Sequence, residues 1–300
     1  MVASNGAEED EVASPGHKLG QIIGTALETQ FGPNLERLVT DLGSDYYLDR
    51  RGPRPARPGK NNITWVDSKG SKHNLDYVIE RGGTATRIGK PVAFVEVAWR
   101  RYTKHAINKA GELISTLIPL RESYETSCRA VGAVVSGEWT NGALERMRGQ
   151  GILVANVDYP VVHTAFLTEG EVDIDILERA DEHTKRALLA RLDALTPAQM
   201  EAIGRRLFAG AGERFSRFLD SLRLAVSSAI VEVIVSSSFS ASHGFGSVEE
   251  AIEFLGSVEP NREEAEFSAY VIEVRWSNGD HISGRFSDKG KALEYLQRNT

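Results

Sequence analysis

His73–Gly83, HNLDYVIERGG, and Gly89–Leu113, GKPVAFVEVAWRRYTKHAINKAGEL, are the stretches whose reading decides the fold. In the first, Leu75 to Ile79 predicts a strand with Asp76 and Tyr77 inside it. In the second, VAFVEVAW (Val92–Trp99) is a short apolar run of the kind that forms a buried strand. Gly82-Gly83 supplies the turn between them. Helical spacing follows from about Thr103 to Leu117.

Working outward, Ile63–Val66 (ITWV) predicts a strand before this pair, with a turn at Ser68-Lys69-Gly70. Strands at Ala130–Ser136 and Ile152–Val157 follow it, around a short helix at Asn141–Arg148. Upstream, Leu19, Ile22, Ile23 and Leu27, then Leu35, Leu38, Val39 and Leu42, recur at helical spacing. Gly32-Pro33 is expected to break them into two helices. The order α-β-β-β-α-β-α-β predicts an α/β sandwich around a mixed sheet. Glu178–Leu192, Pro197–Ala209 and Gly212–Ser228 predict three more helices, the second opened by the Thr196-Pro197 start signal.

The last segment repeats itself at an offset of 41 residues, from Ile230 and again from Val271. Glu232, Val233, Ser236, Ser242, Phe245, Ala251, Glu253 and Leu255 are identical to their counterparts. Each copy reads strand, turn, strand, helix, and Ser277-Asn278-Gly279-Asp280 is a hairpin turn. The expected organisation is a disordered acidic tail (1–16), a core (17–165), a helical region (166–229) and a duplicated ββα domain (230–300).

The composition is that of a soluble globular chain, with a net charge of −7. The single cysteine, Cys128, excludes an intramolecular disulfide and a cysteine-based zinc site, and fits a reducing cytoplasm. No apolar run is long enough to span a bilayer, and Met1–Pro15 lacks the pattern of a signal peptide. The charge is unevenly spread. RRGPRPARPGK (Arg50–Lys60) and RRYTKHAINK (Arg100–Lys109) are basic and without acids, so one face could attract a phosphate backbone.

Asp76 and Glu96 are the residues that point to chemistry. A carboxylate inside an apolar strand costs several kcal/mol to bury as an ion. Two on adjacent strands ask for a cation or a basic partner, the simpler alternative being that both are salt-bridged strand residues. Carboxylate oxygens with water suit Mg²⁺, which keeps positions open for phosphate.

These segments and their element order resemble the PD-(D/E)XK nuclease superfamily, in particular its restriction endonuclease members. The resemblance covers about Leu19 to Val157 and implies an αβββαβ core. Asp76 would match the first family acid and Glu96 the second, with 19 residues between them. It further implies Mg²⁺-dependent cleavage of double-stranded DNA, with Asp76, Glu96 and the Val97 carbonyl as metal ligands. Glu28, late in the first helix, is a further metal-site candidate, and Glu36 competes for that role.

The chain departs from the pattern where the family lysine should stand, two residues after Glu96, at Ala98. The resemblance allows a replacement from the following helix, Lys109 first, then Lys104, with Arg100 as a third option. His105, Lys109 and Glu112 share one helical face. Arg50, Arg51, Arg54, Arg57, Arg100, Arg101, Lys104 and His105 are the candidate DNA contacts. Trp65, Trp99 and Tyr102 either stack on bases or pack the core. His163, His183 and His243 show no ligand spacing. The expected assembly is a homodimer, paired in function with a DNA methyltransferase. The alternatives are a repair or junction nuclease, and a DNA-binding protein without catalysis.

Overall fold

The computed structural model describes residues 15–176, 180–237, 240–258 and 269–298. The expected disordered tail lies almost entirely outside them, as does the start of the helix expected from Glu178.

The chain is α/β. A five-stranded mixed sheet has the order β1-β4-β5-β6-β7, built from β1 (Tyr46–Arg50), β4 (Tyr77–Arg81), β5 (Lys90–Arg100), β6 (Ala130–Gly137) and β7 (Leu153–Asp158). β1, β4 and β5 are antiparallel neighbours. The helix α2 (Thr103–Ser123) connects β5 to β6. Arg129 N bonds Val92 O at 2.8 Å and Glu138 N bonds Arg100 O at 2.8 Å, so β6 starts beside the start of β5 and ends beside its end. That parallel pairing is what a helical crossover produces. β2 (Ile63–Val66) and β3 (Lys72–Leu75) form a separate hairpin.

Two expectations about the elements are corrected. Residues 15–42 form one helix, α1 (Pro15–Leu42), in place of two. Pro33 removes an N–H inside it, but Asn34 Nδ2 donates to Gln30 O at 2.8 Å and ties the two turns together. The strand expected over Leu75–Ile79 is two strands, because the ladders change partner at Asp76: β3 pairs with β2 and β4 with β1 and β5. The sequence patterns also left β1 unassigned, and α4 (Tyr159–Glu169) after β7.

The chain divides into two compact units. One comprises residues up to Arg37, Glu96–Ser115 and Ala133–Phe218. Its core is aromatic around Phe31, whose ring lies 5.8 Å from Phe215 and 6.0 Å from Phe218. α3 (Asn141–Gly149) is capped by Thr140 and α5 (Glu182–Asp193) by Asp181, and α6 (Pro197–Ala211) opens on a full capping box at Thr196 and Gln199.

The other unit comprises Leu38–Val95, Thr116–Gly132 and the chain after Leu219. Its C-terminal part is the expected pair of ββα motifs: β8 (Ile230–Ser237), β9 (Ser240–Phe245) and α8 (Val248–Ser257), then β10 (Tyr270–Trp276), β11 (His281–Phe286) and α9 (Lys289–Arg298). α7 (Glu213–Val226) leads into it. The sheet order β11-β10-β8-β9 places the two copies symmetrically, and Val233 pairs with Val274, its own counterpart at the 41-residue offset.

The basic loop after β1 is also corrected. Arg54 and Arg57 are only 4% and 8% exposed. Arg54 Nη1 lies 2.7 Å from Asp49 and 2.8 Å from Glu80, while Arg57 Nη2 lies 2.8 Å from Asp49. Arg57 also donates to the carbonyls of Lys60 and Asn62 at 3.0 and 2.9 Å. The loop is wrapped around two guanidiniums balanced by two carboxylates. Their positions as candidate phosphate contacts are therefore withdrawn, because their donors are spent inside the protein.

Candidate functional site

Cross-strand register builds the site. Arg50 pairs with Tyr77 across β1 and β4, and Tyr77 pairs with Val95 across β4 and β5. Arg51 follows Arg50, Asp76 precedes Tyr77 and Glu96 follows Val95. Arg51 and Asp76 thus each lie one residue beyond the Arg50–Tyr77–Val95 rung, and Glu96 is the next residue of the chain after Val95. Arg51 Nη1 lies 4.0 Å from Asp76 Oδ1, close enough for attraction but beyond a hydrogen bond. The Asp76 side chain is 15% exposed and that of Arg51 56%. Glu96 and Val97 are partly buried, so the acids are shielded without being sealed from solvent.

Glu96, Ala98 and Arg100 alternate onto one face of β5. Ala98 is buried, so the position expected to carry a lysine holds only a methyl group. Cations lie further along the chain. Lys109 Nζ is 3.0 Å from Glu112 Oε2, one turn on in α2, and Arg100 Nη2 is 3.8 Å from the same oxygen. Glu112 thus collects the ends of two side chains from consecutive elements. His105 is exposed on the same helix; Lys104 lies on it too, with its side chain outside the described residues. Glu28 is partly buried on α1, whereas its competitor Glu36 is exposed.

Arg50 and Arg51 are exposed. Arg101 is engaged: its guanidinium lies over the Tyr159 ring, 3.7 Å from the centroid, and Nη2 donates to Asp175 Oδ1 at 2.9 Å. Trp65 is partly buried and packs edge-to-face, with ring centroids 5.7 Å from Phe94 and 5.1 Å from Tyr124. Trp99 covers Gly20 of α1 and approaches Tyr159, while Tyr102 is exposed.

One grouping escaped the sequence reading. His163 on α4 meets Asp173 and Asp175 from the segment after the helix. Spacings of 10 and 12 residues, across the end of α4 and an irregular segment after it, carry no periodic signal. No protein-family model, curated protein or solved structure matches the chain.

Proposed function

We propose that the chain is a Mg²⁺-dependent endonuclease acting on double-stranded DNA, in the manner of a restriction enzyme. The observation that supports the proposal is the register of β1, β4 and β5, in which Arg50, Tyr77 and Val95 share one rung, Arg51 lies beside Asp76 one residue further, and Glu96 follows Val95 in the chain. The order of helix, antiparallel meander, crossover helix and parallel strand agrees with the αβββαβ core that the resemblance implies.

The donor set fits a hard cation. Two partly shielded carboxylates and a main-chain carbonyl at Val97 are all-oxygen ligands, and Glu28 is a further candidate. Bound Mg²⁺ would supply activation of water and neutralisation of charge on the phosphate. The protein's own contribution is positional. Asp76 and Glu96 would hold the ion, and Arg51, Arg50 and Arg100 would meet the phosphate backbone with His105 and Lys104, Arg101 being engaged with Tyr159 and Asp175. Lys109, held by Glu112, would provide the cation missing at Ala98.

Nicking of supercoiled plasmid, with Mg²⁺ and with chelator, tests this. Cleavage is expected with Mg²⁺ alone, and Asp76→Asn or Glu96→Gln should abolish it while leaving DNA affinity within a few-fold, because phosphate contacts remain. Full activity in either folded variant would sink the assignment. Discrete fragments from a phage genome would mark a restriction enzyme, which also needs a protective methyltransferase. Cleavage confined to branched DNA would mark a repair or junction nuclease. The buried alanine at position 98 favours one other reading, a DNA-binding protein without catalysis, in which intact plasmid accompanies retained affinity.

A further inference from the structure

α4 presents Tyr159 in its first turn and His163 one turn later. The segment after the helix brings Asp173 and Asp175 back beside them, and the ligand atoms of His163, Asp173 and Asp175 all lie within 4.8 Å of one another. His163 Nε2 is 2.9 Å from Asp173 Oδ1 and 3.8 Å from Asp175 Oδ2. Two ligands bound tetrahedrally to one ion at ordinary bond lengths stand about 3.4 Å apart. The observed separations bracket that value.

The two oxygens of Asp175 do different things. Oδ1 accepts hydrogen bonds from the Tyr159 hydroxyl and from Arg101 Nη2, while Oδ2 is the oxygen nearer His163. Arg101 comes from the chain just past β5 and is stacked on the buried Tyr159 ring. Groups outside the three ligands therefore set the orientation of Asp175, as outer partners do around metal-ligating carboxylates. With a neutral imidazole, the two carboxylates and Arg101 sum to one negative charge, which a divalent cation would more than offset.

We propose that His163, Asp173 and Asp175 form a site for a divalent transition-metal ion of the Zn²⁺ class, separate from the carboxylates of the proposed nuclease site. An imidazole nitrogen beside two carboxylates favours borderline cations over Mg²⁺, which prefers oxygen alone. Three protein ligands leave a position for water or a small anion. The plainer arrangement is a His–Asp contact beside an Arg–Asp ion pair, and it predicts no metal affinity.

Calorimetric titration of the full chain with Zn²⁺ decides, in a background carrying Asp76→Asn and Glu96→Gln so that those acids contribute nothing. One equivalent should bind. His163→Ala should weaken binding at least tenfold, and Tyr159→Phe, which keeps the ring under Arg101, by about tenfold. Asp173→Asn, with folding checked by circular dichroism, gives a second reading should His163→Ala fail to fold. Absence of Zn²⁺ binding, or equal affinity in the folded His163 and Asp173 variants, overturns the proposal. Cleavage is not the readout, so failure of the nuclease reading leaves this result standing, and the converse.

Discussion

Replacing Arg54 by methionine tests whether the loop after β1 is a buried electrostatic element. Arg54 donates to Glu80 Oε1 and Oε2 at 2.8 and 2.9 Å, and to the carbonyls of Thr84 and Arg87 at 2.7 and 2.8 Å. Its Nη1 also contacts Asp49 at 2.7 Å. Burial alone would push the Arg54 guanidinium down, but hydrogen bonds and charge from Glu80 and Asp49 raise it above its ordinary value, so it stays charged at every accessible pH. After the substitution Asp49 still has Arg57, whereas Glu80, 0% exposed, keeps Gly89 N at 2.8 Å. Gly83 closes over that carboxylate, and a Cβ there would stand 2.3 Å from Oε2, so water has little room to replace the lost donors.

Removing one partner of a buried ion pair costs about 3–5 kcal/mol. At roughly 2–4 °C per kcal/mol for a domain of this size, the melting midpoint of the affected unit should fall by about 10 °C. Adding Glu80→Gln to Arg54→Met should recover part of the loss, because a neutral amide no longer leaves a buried charge uncompensated. Arg51→Ala, at an exposed position, should shift stability by no more than about 0.5 kcal/mol. Thermal and urea unfolding followed by circular dichroism read all three. An Arg54→Met protein within about 1 kcal/mol of wild type would refute the reasoning and return Arg54 to the surface. If the reasoning holds, neutralising Arg54 or Arg57 lowers DNA affinity only through unfolding, and a direct change in its salt dependence comes from Arg50 and Arg51.

Gly137→Ala should cost about 1–3 kcal/mol, because Gly137 has φ of +99° and an added Cβ would lie 2.1 Å from Arg100 O; a variant as stable as wild type would contradict the close approach at the end of β5. The Asp67 carboxyl is held below its ordinary range, first by the hydrogen bond from His73 and then by the Ser71 N–H. A depressed carboxyl stabilises the fold above its unfolded value and loses that effect as pH falls through its folded one. Asp67→Asn should therefore be destabilised at pH 7, with the gap closing below about pH 4; a gap constant to pH 2 would exclude this. The Cys128 thiol is pushed up to about 12 by burial, so a thiol reagent at pH 8 should label the denatured chain and spare the native one.

What was legible in the sequence was local. VAFVEVAW read as a buried strand because β-branched and apolar residues fill both faces of β5, and Thr196-Pro197 read as a helix start because the cap is made by its own neighbours. β1 was not legible, since YYLDR carries two charges and Asp49 is buried only because Arg57 and Arg54 return to it from the next loop. The same cause hid the burial of the basic loop: its neutralising acids lie on β1 and β4, and no rule of composition says which arginines will find them. At the candidate site, Asp76 and Glu96 stood out as acids in apolar surroundings. That Arg51 would join them was not visible, because it follows from a register two strands wide.

The C-terminal repeat bears on the assembly argument. Ile252, Phe254, Leu255, Leu293, Tyr295 and Leu296 are apolar, and a second subunit would be one way to cover them. In the structure Leu255 and Leu296 are buried in a core shared by both ββα copies, with Ile252, Phe254, Leu293 and Tyr295 packed against it. The register of β8 and β10 explains how one chain achieves this. Residues 41 apart, Val233 and Val274, face each other, so each copy supplies the sheet edge and helix neighbour that the other lacks. In an antiparallel pair only one rung can join counterparts at a fixed offset, here Val233 and Val274, so the argument for duplication rests on the identities between the two copies. A second subunit is then not required to cover these helices. The case for a homodimer rests on the need to cut two strands, which a two-fold pair of sites meets directly. Sedimentation of the full chain should therefore show dimers with duplex DNA, and a monomer at every concentration, with and without DNA, would favour nicking or sequential cleavage.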